Sequence, residues 1–514
     1  MINYQIKKYS VRMSEFMIEK IIEQTNLYIE DMLKKERKKY GQFFTSKETA
    51  LFMAKLFRIS DNVEKISVLD PGAGSGILSC AFVDVLQNKK NLKLIEITCY
   101  ENDENILALL KSNLDYIKEK SKIKIEYKII SKNYITSQYF DFNHMLGENK
   151  EQKKFDVVIG NPPYMKISKD APEARAMPSI CYGAPNLYFL FAAMSLFNLK
   201  DSGELVYIIP RSWTSGAYFK KFREYLFSVG ILKHIHLFVS RNKVFDKEEV
   251  LQETIIIKVK KSDEIVNYEN KITITSSESS SDFNEITKLN VPYNIVVKGP
   301  EKYVYLVTNE YEVNVIKKIN KFKDNLPSIG LKMKTGLTVD FRNKDILRNE
   351  EEKESIPLFY SQHIKGGLIN FPIDKENQYI ITEKKGLIQE NKNYLFVKRF
   401  TTKEEKRRLQ CGIYLAKNFP KYKNISTQNK INFITGITRE LSECTVYGLY
   451  ALFNSSLFDV YYRILNGSTQ VNSTEINSIP VPGIGIIKEI GNKLMKSKDL
   501  SEENCNNILE EYYV

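Results

Sequence analysis

Short apolar runs separated by amphipathic stretches dominate the first half of the chain. The runs predict buried strands at 66–69, 94–100, 123–130, 155–160 and 204–209. The stretches between them have the spacing of helices, at 77–86, 104–118, 186–199 and 218–229. Segments 231–239 and 254–259 predict a closing pair of strands. Strands that alternate with helices in this way predict a doubly wound, mainly parallel α/β sheet.

The regular alternation ends after Lys261. Residues 276–282 (SSESSSD) predict a linker, and short mixed elements rich in Lys, Arg, Tyr and Phe follow. A chain of 514 residues is too long for one core. We therefore expect an N-terminal helical segment at 1–40, an α/β domain at 41–265 and an α+β domain at 275–514.

Composition narrows the class of protein. The net charge of +13 and isoelectric point near 9.0 indicate a polyanionic partner, although lysine is frequent throughout. Six scattered cysteines and four histidines argue against a zinc site or a disulfide framework, and they fit a reducing cytoplasm. The longest nearly apolar run, 187–197, is shorter than the roughly 20 residues that span a bilayer. We therefore expect a cytoplasmic protein without a membrane or metal partner.

A glycine-rich turn joins the first predicted strand to the next helix. It runs from Asp70 to Gly76 (DPGAGSG), and its glycines permit close approach of a ligand. The following strand ends in Glu101-Asn102, where a carboxylate can accept hydrogen bonds from both ribose hydroxyls. Asp70 favours S-adenosylmethionine (SAM) over a dinucleotide, because a carboxylate suits the methionine ammonium and repels a pyrophosphate.

The predicted strand 155–160 leads into Asn161-Pro162-Pro163-Tyr164 at the carboxyl edge of the sheet. An amino group conjugated to a purine is a poor nucleophile, because its lone pair is delocalised. If its N–H groups donate to the Asn161 side-chain oxygen and the Pro162 carbonyl, that lone pair is freed. The prolines fix the turn, and Tyr164 can stack on a base flipped out of the duplex. The motif predicts methyl transfer to a planar amino or amide nitrogen.

Taken in order, these motifs resemble PstI-like and Eco57I-like adenine methyltransferases of type II restriction–modification systems. The resemblance implies a Rossmann-like SAM-methyltransferase sheet, SAM as the methyl donor and no metal requirement. It also implies that segment 41–45 closes over the SAM methionine and that Phe245 gives the flipped adenine a second aromatic face. Asn133 stands where the family usually has an acidic residue near the SAM adenine. The implied cofactor-binding residues are Phe44, Thr45, Asp70, Gly72, Gly74, Glu101, Asn102, Asn133 and Asn161.

The second half resembles the same family at 334–342, 453–456, 467–472 and 479–482. This implies a C-terminal domain that recognises the DNA target, with double-stranded DNA and a separately encoded restriction endonuclease as partners. Basic side chains offset phosphate charge, and amides read base edges. The candidate DNA-binding residues are Lys398, Arg399, Arg407, Arg408, Asn429, Gln470 and Asn472.

Four other functions remain open on these residues. Cytosine-N4 methyltransferases share the chemistry, although Asn161 favours adenine. Protein glutamine N5-methyltransferases use the same motif but lack a basic domain of this size. Asp374 followed by Glu383-Lys384-Lys385 mimics a metal-dependent nuclease, as in a bifunctional methylase/nuclease. The intact catalytic motif opposes the fourth, an inactive DNA-specificity module.

Overall fold

The computed structural model describes residues 17–31, 44–145, 154–238, 253–262, 270–279, 283, 285–402, 405–466 and 469–513. The chain divides into two compact units. The first comprises Met1–Arg211 and Lys221–Asn290, and the second comprises Ser212–Lys220 and Val291–Val514. This division lies later in the chain than the boundary expected at 265–275.

A mainly parallel sheet forms the centre of the first unit, which confirms the predicted fold class. In chain order its described strands are β1 (Lys65–Pro71), β2 (Leu94–Tyr100), β3 (Lys124–Ile130), β4 (Phe155–Gly160), β5 (Leu199–Pro210), β6 (Gly230–Phe238), β7 (Thr254–Lys261), β8 (Lys271–Ser277) and β9 (Thr287–Pro292). Their spatial order is β3-β2-β1-β4-β5-β7-β6-β8-β9, and β7 runs antiparallel to β5 and β6. The order reverses between β1 and β4, which is where sheets of this kind bind ligands.

The helices in the first half of the chain lie between these strands or before them. They are α1 (Met17–Asp31), α2 (Lys47–Lys55), α3 (Ile77–Leu86), α4 (Glu104–Lys120), α5 (Tyr139–Phe142), α6 (Pro172–Ala176), α7 (Leu187–Asn198) and α8 (Lys220–Val229). Nearly every residue of α3 is buried. The Asp84 carboxylate of α3 accepts from the N–H groups of Met17 and Ile18 at 3.2 and 2.9 Å. It thereby satisfies N–H groups that the first turn of α1 leaves open. The described part of the predicted N-terminal segment is therefore packed into the first unit.

The serine-rich segment 276–282, predicted as a linker, begins inside β8. Ser276 and Ser277 are buried and pair with the end of β6. The buried His236 ring bonds Thr275 and Ser277 through its two nitrogens, at 2.8 and 3.1 Å. Polar side chains can occupy this buried strand because their hydroxyls have partners. For this reason the sheet continues past the expected boundary.

The second unit has an α+β fold, as predicted. Its described strands are β10 (Val297–Lys298), β11 (Tyr303–Val304), β12 (Leu331–Thr335), β13 (Leu347–Arg348), β14 (Ile356–Phe359), β15 (Ile364–Lys365), β16 (Leu368–Ile369), β17 (Tyr379–Ile380), β18 (Gln389–Glu390), β19 (Tyr394–Lys398), β20 (Cys411–Tyr414), β21 (Asn424–Thr427) and β22 (Ile431–Gly436). The larger sheets have the orders β12-β22-β19-β20-β16-β15 and β13-β17-β14-β21-β18.

The helices of the second unit follow mainly after these sheets. They are α9 (Tyr293–Val296), α10 (Glu310–Ile319), α11 (Glu443–Phe453), α12 (Ser456–Leu465), α13 (Ser473–Ser478), α14 (Ile484–Ser497) and α15 (Glu502–Glu510). Helices α11 and α14 pack closely where they cross, because Gly448 and Gly491 have no side chains. A Cβ at Gly448 would meet the backbone of Ile487, and one at Gly491 would meet the backbone of Cys444. In the described ranges, no helix has both the length and the apolar character to cross a membrane.

Candidate active site

A cavity of about 120 Å³ opens where the carboxyl ends of β1, β2 and β4 meet. We call it the edge cavity. Among the predicted cofactor-binding residues, its wall contains Phe44, Thr45, Gly72, Gly74, Glu101, Asn102 and Asn161. It also includes Leu78, Asp103, Pro163 and Phe191, which the sequence did not indicate as cofactor contacts. Residues far apart in the chain therefore line one site.

The glycine turn shapes part of this wall. Gly72, Gly74 and Gly76 have φ values of +72°, +56° and +83°, in the left-handed region where a side chain is strained. The N–H groups of Gly72 and Ala73 donate to the Tyr100 carbonyl at 2.8 and 2.9 Å. These bonds hold the turn against the end of β2. Because Gly72 and Gly74 have no side chains, their backbone is accessible from the cavity.

Glu101 is held in the wall by backbone N–H groups. Its Oε2 accepts from Gly74 at 2.9 Å, and its Oε1 accepts from Asn102 and Asp103 at 2.8 and 2.9 Å. Burial raises the pKa of this carboxyl, and the N–H groups oppose that shift. A carboxylate offers about four acceptor positions, so Glu101 can still accept from the hydroxyl groups of a ligand.

Asp70 lies at the end of β1 and outside the cavity wall. It is fully buried, and its Oδ2 accepts from the Ser79 hydroxyl at 2.7 Å. Its Oδ1 has no hydrogen-bond partner among the described residues. Burial raises the pKa of Asp70 to about 7. Because an unpartnered buried carboxylate is costly, a cation brought near Asp70 would offset that cost.

Asn161 lies in the wall of the edge cavity, and hydroxyl groups bind both ends of its side-chain amide. The Asn161 Nδ2 donates to Thr45 Oγ1 at 3.1 Å, and the Tyr164 hydroxyl donates to Asn161 Oδ1 at 2.8 Å. The same hydroxyl lies 3.0 Å from the Ile208 carbonyl oxygen. Pro162 is buried. The Asn161 amide therefore has a defined orientation, with its oxygen toward Tyr164.

Tyr207 of β5 packs against the strand end that precedes Asn161. The ring is fully buried, and a Cβ at Gly160 would lie 2.6 Å from it. The Tyr207 hydroxyl is 2.6 Å from the Ser195 hydroxyl. Sequence reasoning missed Tyr207, although a glycine at the end of an apolar strand is a signal for such close approach.

Comparison with known proteins decides the family. A family profile described as Eco57I restriction-modification methylase matches residues 4–245. The chain is 34% identical over 492 residues to the type II methyltransferase M.PstI of Providencia stuartii, covering 93% of each chain. It is 33% identical to M.BsuBI of Bacillus subtilis, covering 95% of this chain and 97% of that one. The chain belongs to the type II restriction–modification methyltransferases.

A solved structure shares the fold of this methyltransferase. It is a nuclease-deletion mutant of the Type ISP restriction-modification enzyme LlaGI, with a TM-score of 0.50 at 13% identity. The likeness covers 93% of this chain and 56% of that chain. The family predicted from the sequence is confirmed by the similarity to M.PstI and M.BsuBI, and the likeness to the solved structure concerns the fold.

Asn133, another predicted cofactor-binding residue, is likewise not part of the wall of the edge cavity. Asn133 Oδ1 accepts from the N–H groups of Ile135 and Thr136, both at 3.0 Å, and its Nδ2 donates to Glu173 at 2.8 Å. A local turn therefore uses the oxygen that was predicted to face the cofactor adenine. Phe245 lies outside the described residues.

Phe191 of α7 was not predicted as part of the wall. Helix α7 is apolar on nearly all sides, so no position in it stands out in the sequence. In the tertiary structure the Phe191 ring lies against the glycine turn, and a Cβ at Gly72 would be 3.5 Å from it.

Three predicted DNA-binding residues of the methyltransferase come together in the second unit. Arg399 Nη1 donates to the Asn429 carbonyl at 3.0 Å, and Nη2 lies 3.5 Å from Gln470 Oε1. Lys398, the last residue of β19, is half-buried. Asn472 instead stands at the start of α13 and donates to a buried carboxylate at 3.2 Å. We refer to Arg399, Asn429 and Gln470 as the Arg399 cluster.

Arg408 lies in the interior of the second unit, which corrects the prediction that it contacts DNA, and the half-buried Arg407 makes contacts within the same unit. Arg408 is fully buried, and it donates to Thr401 Oγ1 at 3.2 Å and Asn466 Oδ1 at 3.0 Å. Arg407 donates to the Phe453 carbonyl at 3.2 Å, at the C-terminus of α11. Basic residues in a sequence cluster can fill a core or cap a helix, and only the fold separates these roles.

Proposed function

We propose that this methyltransferase transfers the methyl group of SAM to the exocyclic N6 of adenine in double-stranded DNA. The orientation of the Asn161 amide carries the proposal. Tyr164 holds its oxygen, and Asn161 shares the edge cavity with the glycine turn. An acceptor in this position can hold a planar amino group beside a donor bound in the cavity.

The residues at the edge cavity fit SAM. Its ammonium and sulfonium groups are cationic, and the carboxylates of Glu101 and Asp103 lie in the wall. The unpartnered oxygen and raised pKa of Asp70 also favour a cation nearby. Bare backbone at Gly72 and Gly74 admits the methionine part, and Glu101 can accept from ribose hydroxyls. SAM supplies an electrophilic methyl group when bound.

The catalytic motif makes the nitrogen of the target amino group nucleophilic through one side-chain and one backbone acceptor. The Asn161 Oδ1 and the Pro162 carbonyl oxygen accept the two N–H groups of the amine and draw its nitrogen toward tetrahedral geometry. The lone pair, no longer shared with the ring, then points toward the methyl donor. The Tyr164 ring stacks on the flipped base, and Phe245 covers its other face.

Double-stranded DNA is the proposed polyanion. The chain carries a net charge of +13, and Lys398 contributes to phosphate binding. The Arg399 cluster brings an arginine fork together with two amide residues, and side chains of these types recognise base edges. In a restriction–modification system the resulting methylation protects sites from a separately encoded endonuclease.

The other functions are less well supported. Protein glutamine methylation leaves the whole second unit without a role. For the nuclease pattern, Asp374 and Glu383 are both exposed, and the described ranges contain no cluster of three or more His, Cys, Asp or Glu side chains suited to a metal ion. Cytosine-N4 methylation uses the same chemistry, so the product must decide between the two bases.

The test is to identify the modified nucleoside. Purified full-length protein and SAM are incubated with plasmid DNA, which is then digested to nucleosides for mass spectrometry. We expect N6-methyldeoxyadenosine with the native chain and with the exposed-site control Asn91→Ala. We expect none with Asn161→Ala, whose DNA binding should persist. N4-methyldeoxycytidine, or no modified base from the native chain, would overturn the proposal.

A further inference from the structure

The torsion that orients an asparagine amide is soft. The χ2 angle of asparagine is a broad, roughly two-fold rotor, so the backbone of the Asn161-Pro162-Pro163-Tyr164 turn does not by itself fix the amide plane. A misdirected Asn161 oxygen would leave the target amino group without its acceptor. The direction of the amide must therefore come from groups that bind its two ends.

Two hydroxyl groups bind those ends. Tyr164 donates to Asn161 Oδ1 at 2.8 Å, and Thr45 Oγ1 accepts from Asn161 Nδ2 at 3.1 Å. Tyr164 cannot determine the orientation by itself, because its hydroxyl also lies 3.0 Å from the Ile208 carbonyl. While donating to Ile208, the Tyr164 oxygen could accept from a reversed amide. A second contact at the other end of the amide is therefore needed to fix its plane, and Thr45 provides one.

Thr45 is itself held firmly. It is buried and immediately precedes Ser46, the N-cap of α2, whose hydroxyl accepts from the Thr49 N–H at 3.3 Å. Helix α2 in turn buries Ala50 and Met53 in the core of the first unit. The capped helix therefore provides a rigid base for the Thr45 hydroxyl.

We propose that Thr45 is a positioning residue for methyl transfer, whose hydroxyl holds the Asn161 amide nitrogen and thereby aims the amide oxygen at the target amino group. The inference rests on the proposed function, in which that oxygen accepts from the base. It assigns Thr45 a role distinct from the cofactor contact that the family resemblance implies. A wall contact would affect SAM affinity, whereas a positioning residue affects the rate of the bound complex.

Three variants separate these roles. Thr45→Val removes the hydroxyl at nearly constant shape, and Thr45→Ser keeps it. Thr49→Val is the matched control, because it removes another buried hydroxyl that contacts Ser46 and not Asn161. The single-turnover rate is measured at saturating SAM and DNA, and the SAM dissociation constant by calorimetry.

We expect Thr45→Val to slow methyl transfer about tenfold, as loss of one orienting hydrogen bond predicts. Its SAM dissociation constant should stay within about twofold of the native value, because the lost hydroxyl acts on Asn161 and not on SAM. Thr45→Ser and Thr49→Val should keep rates within about twofold of native. Thr45→Ala carries the same expectation as Thr45→Val if valine prevents folding.

Three results would overturn the inference: a native rate in Thr45→Val, a rate loss matched by equal weakening of SAM binding, or a serine variant as slow as the valine variant. A native chain that methylates no DNA would instead defeat the proposed function. The two failures are therefore distinguishable.

Discussion

The contact between Gly160 and Tyr207 makes a quantitative prediction about the catalytic strand. Gly160→Ala would place a methyl group 2.6 Å from Cε1 and 2.9 Å from Cζ of Tyr207, whereas carbon atoms pack at about 3.5–4.0 Å. Either the strand or the ring must therefore move by roughly 1 Å to restore ordinary contact. The ring resists, because it is fully buried and its hydroxyl is 2.6 Å from that of Ser195.

Two consequences follow from this displacement. Overpacking of a core by one methyl group costs about 1–3 kcal/mol of unfolding free energy. Because Gly160 directly precedes Asn161, the strain also moves the catalytic amide, and a 1 Å misplacement of a reacting group can cost on the order of 100-fold in rate. Methyl transfer should therefore fall further than the loss of stability alone explains.

A double-mutant cycle tests the cause. Urea unfolding and single-turnover rates are measured for Gly160→Ala, Tyr207→Leu and the double variant. Leucine removes the ring, so the two changes should couple by at least about 1 kcal/mol. The control is Gly386→Ala, which meets no atom within 4 Å and should change stability by less than about 0.5 kcal/mol. Additive effects within about 0.5 kcal/mol would refute the reasoning.

Four further predictions concern charge and the target base. The raised pKa of Asp70, about 7, means that the folded, ligand-free chain holds a proton that the unfolded chain has lost. Stability should therefore fall as pH rises from about 4 to 7, and Asp70→Asn should flatten that fall in urea unfolding. Arg408→Met should cost about 3 kcal/mol of unfolding free energy, because it leaves buried polar groups without a hydrogen-bond partner. Lys398→Ala should weaken DNA binding and lower the slope of log affinity against log salt concentration by about 1. Phe245→Ala should reduce the fluorescence change of 2-aminopurine at the target position. The flipped base would lose one stacking partner, so its flipped state would be less stable.

Each of these predictions has a contrary result. An equal pH slope in Asp70→Asn would show that other groups cause the fall. Wild-type stability in Arg408→Met would contradict its structural role, and an unchanged salt slope in Lys398→Ala would remove that residue from the DNA interface. Native fluorescence in Phe245→Ala would leave Tyr164 to hold the base without Phe245.

Local patterns in the sequence were sufficient for the architecture of the first unit. The alternation of apolar runs with amphipathic stretches predicted parallel strands, and carboxyl ends of parallel strands meet at one edge. As that rule predicts, Gly72, Glu101 and Asn161 all line the edge cavity. It failed for the serine-rich part of β8, because burial of Ser277 depends on a hydrogen bond with His236, 41 residues earlier.

Residue type and chain position together determined the family, the sheet and the catalytic motif. These properties are local, because a glycine turn or an Asn-Pro-Pro-Tyr segment needs only its own backbone to form. Only the tertiary structure decided which basic residues face solvent. It shows that Arg408 is fully buried and bonded to Asn466. It alone joined Thr45 to Asn161, 116 residues apart, at 3.1 Å. Such contacts depend on packing between distant segments, and no local pattern encodes the distance between two side chains.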